Sequence, residues 1–193
     1  MLKEKYLETN IILASQSPRR QELLKGLDLD FVIQTRPVEE IYDKAFKEEQ
    51  ITNFLAQLKA SAFNGILQEK DLLITSDTIV WLDNQALGKP KTTEHAIEML
   101  TAMSGKKHKV FTSVCFTSTQ RQDTIYDCTS VYFKKLSKEE IEYYVHSYKP
   151  YDRAGSYGIQ DWIGYTGIEK LEGCYYNVMG LPLPKVYEYL KNR

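Results

Sequence analysis

Ile11-Ile12-Leu13-Ala14-Ser15-Gln16-Ser17-Pro18-Arg19-Arg20-Gln21-Glu22-Leu23-Leu24 passes from an unbroken apolar run to a helix start within a few residues. Ile11 to Ala14 is too short for a signal peptide or a membrane span and reads as a buried strand. Ser17 suits an N-cap and Pro18 the first helical position, so a helix follows at about 18–26 with Leu23, Leu24 and Leu27 inward. A buried strand running into a helix predicts an α/β protein.

Working outward, the same alternation continues. Phe31-Val32-Ile33 reads as a second strand. Ile51, Phe54, Leu55, Leu58, Ala62 and Ile66 stand at helical spacing over about 50–66. Leu72-Leu73-Ile74 and Ile79-Val80-Trp81-Leu82 read as two strands, with Asp83-Asn84-Gln85 as the turn after the second. A helix is expected over 93–103, with Ala96, Ile97, Leu100 and Met103 on one side. Two longer strands at about 108–118 and 124–134 form a hairpin, being rich in Val, Thr, Phe and Tyr. Ser137 and Glu140 make a capping-box pattern, a last strand lies near 167–171, and a helix follows Pro184. Hairpins and crossovers together require a mixed sheet. No repeat or linker divides the 193 residues, so one domain over 1–193 is expected.

Hydrophobic residues make up 42% and charged residues 26%, which suits a folded globular chain rather than a disordered one. The formal net charge of −1 calls for neither a nucleic-acid nor a membrane partner. Cys115, Cys128 and Cys174 form no Cys-x-x-Cys pair, so a reducing cytoplasm is expected. The fourteen tyrosines are expected mainly in the core and on sheet faces.

Candidate chemistry concentrates at a few points. Arg19 and Arg20 fall in the first helical turn, where the helix dipole disfavours positive charge. Together with the hydroxyls of Ser15 and Ser17 they would cradle a phosphate, the alternative being an ordinary capped helix with surface arginines. Thr75-Ser76-Asp77-Thr78 lies between two strand-like runs, so Asp77 would sit at the mouth of the sheet or in a plain turn. Lys59, beside Leu55 and Leu58, binds or merely snorkels, and Lys89 stands in Leu87-Gly88-Lys89-Pro90. Arg19, Arg20, Lys59 and Lys89 would neutralise a polyphosphate while Glu40 and Asp77 hold Mg²⁺. No P-loop, dinucleotide fingerprint, nucleophile elbow or HExxH pair is present. His95, His108 and His146 are scattered and read as structural or surface residues.

Six ordered segments resemble the Maf family: LASQSPRRQELL at 13–24, LAQLKA at 55–60, SDTIV at 76–80, LGKP at 87–90, AGSYGIQ at 154–160 and NVMGLPL at 177–183. The resemblance implies an elongated, ITPase-like α/β fold whose bent mixed sheet, flanked by helices, carries two lobes around a deep cleft. It implies a homodimer and a divalent cation, Mg²⁺ or Mn²⁺. The reaction implied is cleavage of a nucleoside triphosphate to the monophosphate and pyrophosphate. Asp77 then matches the proton acceptor, and Ser15, Arg19, Arg20, Lys59 and Lys89 match phosphate positions. Glu40 matches a metal ligand with Asp77, although Glu39 is adjacent. Tyr157-Gly158-Ile159-Gln160 resembles the branch preferring dTTP and UTP, in which the positions of Arg19, Thr78 and Gln160 are linked to specificity. A bottom-up alternative gives Gln160 the task of tying down a Gly-rich turn. The family also includes 7-methyl-GTP pyrophosphatases and is linked with inhibition of septum formation. Asp161-Trp162 departs from the glycine-led pattern, and Ser76 replaces a more usual alanine.

Overall fold

A computed structural model describes all residues from Met1 to Arg193. In chain order the elements are α1 (Leu2–Lys5), β1 (Asn10–Leu13), α2 (Pro18–Lys25), β2 (Phe31–Ile33), α3 (Glu49–Ser61), β3 (Asp71–Leu82) and β4 (Gln85–Leu87). There follow α4 (Thr93–Met103), β5 (Lys107–Thr117), β6 (Gln122–Phe133), α5 (Lys138–Tyr148), α6 (Trp162–Gly167), β7 (Ile168–Glu172), α7 (Tyr175–Met179) and α8 (Leu183–Asn192). The seven strands form one mixed sheet in the order β2-β1-β3-β5-β6-β7, with β4 on β3. β1 runs parallel to β2 and β3, whereas β3, β5, β6 and β7 are successively antiparallel. The mixed α/β architecture expected above is therefore the one observed. No helix is long and apolar enough to cross a membrane.

Two expectations need correction. Residues 72–74 and 79–82 are not separate strands but the ends of β3, which runs unbroken through Thr75-Ser76-Asp77-Thr78. The polar tetrad stays in the ladder because its side chains have partners. Thr75 Oγ1 donates to the Ala56 carbonyl at 2.7 Å, and the hydroxyls of Thr78 and Thr112 meet at 3.0 Å. The helix expected over 50–66 stops at Ser61. A turn follows in which Gly65 takes φ +73°, and Ile66 is exposed.

The register of β3 explains where a site can form. β1 pairs with Asp71 to Ile74 and β4 with Val80 to Leu82, while β5 occupies the opposite edge throughout. Thr75 to Ile79 therefore present one strand edge that no neighbouring strand covers. Hydrophobic packing lies at either end of this gap. Leu72, Ile74, Val114 and Phe116 join α2 and α8 through Leu23, Leu24, Val186 and Leu190. Val80, Leu82, Val110, Val131 and Phe133 join α4 and α5 through Leu100, Met103, Tyr144 and Val145. These are two lobes on one sheet, with a buried polar belt between them. The alternation of β3 sends Asp77 to the face covered by α3 and Ser76 and Thr78 to the other.

The second lobe is closed by Ala154-Gly155-Ser156 packing on β3. Gly155 takes φ +66°, and a Cβ there would lie 2.7 Å from Val80 Cγ2. Its N–H also donates to the Gly88 carbonyl at 3.0 Å, tying two of the quoted segments together. Gly155→Ala is expected to cost about 2 kcal/mol through this overlap and the left-handed backbone. For a chain of this size that corresponds to a fall in Tm of roughly 4–8 °C, measurable by calorimetry.

Candidate active site

The uncovered edge of β3 opens into a cavity of about 350 Å³ whose walls come from both lobes. Arg19, Arg20, Glu40, Lys59, Asp77, Thr78, Lys89 and Gln160 all line it. An adjoining cavity of about 660 Å³ is bordered by Ser15, Gln16 and Ser17, and shares Arg19, Arg20, Glu40, Lys59 and Lys89 with the first. The structure thus brings every sequence-predicted site residue to one connected cleft. Asp77, however, stands in mid-strand on an open edge and not at the mouth of the sheet.

Asp77 is buried, with its side chain 10% exposed. Lys59 projects from α3, its ammonium 2.6 Å from Asp77 Oδ1 and 3.2 Å from Glu40 Oε1. The lysine therefore turns into the cleft to pair with two carboxylates and does not snorkel to solvent. Burial pushes the Asp77 carboxyl above the ordinary aspartate range, against the opposing pull of Lys59 and Arg20. Glu40 is the glutamate that turns inward. Glu39 is exposed and borders neither cavity.

Ser17 and Pro18 open α2 as expected, with basic and no acidic residues in its first turn. The Ser17 hydroxyl makes no capping bond to the helix, and Ser15 Oγ accepts from the Ser17 N–H at 3.2 Å. Arg19 reaches across the cleft to Asp152 Oδ2 at 2.9 Å. Arg20 has a different environment. Its Nε donates to the Gly180 carbonyl at 2.7 Å, Nη1 to the Ser76 carbonyl at 3.0 Å and Nη2 to Thr78 Oγ1 at 2.9 Å. Ser76 lies in the uncovered stretch of β3, so Arg20 supplies the donor that a neighbouring strand would otherwise give. Lys89 is exposed at the rim.

The far end of the cavity is lined by Val80, Val110, Ala154, Tyr157, Gly158, Gln160, Val178 and Met179 among others. This wall is more apolar than the one formed by Arg19, Arg20, Lys59 and Lys89. Gln160 makes no side-chain bond within its glycine-containing turn, and its buried Oε1 has no partner in the chain. The turn is held by other groups. Tyr144 OH accepts from the Gly158 N–H at 3.1 Å and donates to Asp161 Oδ2 at 2.7 Å, while Arg153 pairs with the same carboxylate. Asp161 thus braces the cavity from behind, and Trp162 packs on Tyr143 with ring centroids 5.0 Å apart. His108 is buried and hydrogen-bonded to Tyr157 OH at 2.8 Å. Burial pulls its pKa down to about 3, so it is a neutral supporting residue.

Sequence reasoning passed over Asp152, Arg153 and Asn177. Asn177 is fully buried, donating to the Val110 carbonyl and Thr129 Oγ1 at 3.0 and 2.9 Å. It fastens the NVMGLPL segment to β5 and β6, and so places Val178 to Gly180 along the cavity. The adjacent charges of Asp152 and Arg153, just ahead of AGSYGIQ, were the one local signal for that pair.

Known proteins resemble this chain over most of its length. Residues 10–193 match the model of the family described as Maf-like protein. A protein of Flavobacterium johnsoniae named dTTP/UTP pyrophosphatase is 57% identical over 190 residues, covering 98% of each chain. Proteins of the same name from Flavobacterium psychrophilum and Bacteroides thetaiotaomicron are 55% and 50% identical. They cover 100% and 94% of this chain and 98% and 94% of their own. Among solved structures, the Ham1 protein of Staphylococcus aureus aligns with a TM-score of 0.47 at 16% identity. That match covers 65% of this chain and 72% of the other.

Proposed function

The chain belongs to the Maf-like protein family, and on that premise we propose that it hydrolyses dTTP and UTP to the monophosphate and pyrophosphate. The observation that carries this reading is the junction, within one cleft, of an enclosed Asp77–Lys59 pair, joined by the more exposed Glu40, and an arginine-bearing helix start. Beside them lies an apolar wall with an unpartnered amide. The first two suit a polyphosphate and the third a base.

Each residue then has a task. Arg19, Lys59 and Lys89, with the open start of α2 and the Ser15 hydroxyl, take the phosphates and offset the charge that builds on the α-phosphoryl oxygens. Arg20 adds positive potential and holds Thr78 in place. Asp77 orients a water and accepts its proton as the new oxygen–phosphorus bond forms at the α-phosphate. The bond from that phosphorus to the oxygen bridging to the β-phosphate breaks, and pyrophosphate leaves with the electron pair. The raised pKa of the buried Asp77 makes it a better base than a free carboxylate.

The donor set also fits a divalent cation. Two carboxylates already converge on a single cationic centre, the Lys59 ammonium, and no third acidic, histidine or cysteine ligand joins them. Mg²⁺ takes one or two carboxylates and completes its shell with water and substrate phosphate oxygens. Glu40 and Asp77 would hold it, and when bound it would supply Lewis-acid neutralisation and a more acidic water.

Gln160 is the base-reading group in this proposal, its amide facing the N3–H and O4 edge of uracil or thymine. Gln160→Ala should lower kcat/KM for UTP and dTTP about tenfold while leaving inhibition by inorganic tripolyphosphate unchanged. Pyrophosphate release from dTTP, UTP, CTP, 7-methyl-GTP and the standard purine triphosphates, with Mg²⁺ or Mn²⁺, tests the whole reading. Selective turnover of dTTP and UTP is expected. Selectivity for 7-methyl-GTP would discard the base assignment, and release from no substrate would discard the reaction.

A further inference from the structure

One carboxylate in the cleft stands where a ligand's phosphate is needed. Asp152 Oδ2 lies 2.9 Å from Arg19 Nη1, and Asp152 Oδ1 lies 3.6 Å from Arg153 Nε. Arg19 comes from α2 in one lobe, whereas Asp152 and Arg153 follow α5 in the other. Both arginine side chains are largely enclosed, at 20% and 17% exposed, while Asp152 is 61% exposed. Asp152 borders both cavities. Arg153 is anchored independently of it, through Asp161. Removing the Asp152 charge would therefore leave two guanidinium groups facing one spot across the cleft.

We infer that Asp152 is an internal competitor: its carboxylate occupies an anion subsite between Arg19 and Arg153 that the substrate's phosphates must take over. Partial burial would raise the Asp152 pKa, yet the hydrogen bond and charge of Arg19, with the charge of Arg153, hold it below the ordinary range. It is thus ionised at neutral pH and able to compete. A multiply charged phosphate displaces it because charge-assisted bonds to two arginines strengthen with ligand charge. When the products form, the carboxylate returns to Arg19 and helps pyrophosphate leave. Competition of this kind weakens every ligand that uses the subsite by the same factor, since only the fraction with the subsite open can bind. The inference rests on the proposed binding of phosphates in this cleft, but not on which base is read.

Asp152→Asn and Asp152→Ala test it, by calorimetric titration with inorganic tripolyphosphate, pyrophosphate and uridine, with and without Mg²⁺. Both variants should bind tripolyphosphate and pyrophosphate roughly 3–10-fold more tightly, a modest factor because the displaced pair is partly solvated. The gain should shrink as ionic strength rises. Uridine, which carries no phosphate, should bind as it does to the unaltered protein. Unchanged or weaker phosphate binding in either variant, or no tripolyphosphate binding by any of the proteins, would overturn the inference. Turnover of dTTP and UTP by the unaltered protein bears separately on the proposed reaction, since these affinities are read without it.

Discussion

Asp77→Asn lowers pyrophosphate release at saturating UTP by about 10²–10⁴-fold, the range lost with a positioned general base. The amide is nearly the same size as the carboxyl, so β3 and its ladder to β5 are kept. What disappears is the proposed proton acceptor and half of the acidic pair that grips Lys59. Nucleotide binding should stay measurable, because Arg19 and Lys89, the proposed phosphate-binding groups, are untouched. A calorimetric titration beside the rate assay separates the two effects, and an active asparagine variant would sink the assignment. The direction of the Asp77 shift adds a pH signature. Protonated Asp77 accepts no proton, so kcat/KM is lost as pH falls through a value above the ordinary aspartate pKa. Lys59 opposes the upward push of burial. Lys59→Met should therefore move that acid limb to still higher pH while slowing the reaction.

These roles were unevenly legible in the amino-acid sequence. Residues 11–24 show their strand and helix because the determinants are local: a continuous apolar run, then a cap and a proline. The centre of β3 does not. Thr75 to Thr78 look like a connection, and what keeps them in a strand is supplied by Ala56, Thr112 and Lys59, none of them a near neighbour in sequence. The same distance hides the site's wiring. The arginine pair of α2 announced an anion, but nothing near it said that Arg19 reaches Asp152 or that Arg20 is absorbed into the sheet. The short helices α6 and α7 lie in segments too brief for a helical period to declare itself. The quoted motifs located the cleft-lining residues well, because a motif marks positions without requiring that their partners be known.

Arg20→Met has the second large effect, and it separates positioning from charge. Arg20 offers five N–H donors, and three are directed at the carbonyls of Gly180 and Ser76 and the hydroxyl of Thr78. Methionine fills much of the same space but leaves the Ser76 carbonyl without a donor at an uncovered strand edge, while Gly180 and Thr78 keep only their bonds to the hydroxyls of Ser76 and Thr112. A hydrogen bond from a charged donor is worth about 1.5–3 kcal/mol, and for three of them, with partial relief by water and the remaining partners, the loss should be about 4 kcal/mol. That lowers Tm by roughly 8–16 °C. Arg20→Lys keeps the charge but cannot reach three acceptors at once, since a single ammonium replaces a planar fork. If Arg20 served only as a cation for phosphate, lysine would restore both stability and turnover. The geometry leads to the opposite result: a low Tm in both variants and a fall of at least about tenfold in kcat/KM with lysine. The loss should be larger for UTP than for tripolyphosphate binding, because Thr78 and Gly180 line the cavity between the groups proposed to take the phosphates and the wall proposed to take the base. The helix start that first suggested a phosphate cradle therefore has two separate functions. Arg19 reaches into the cleft, where the proposed function gives it the substrate's phosphates, and its neighbour fastens the two walls of the cleft to the strand that carries Asp77.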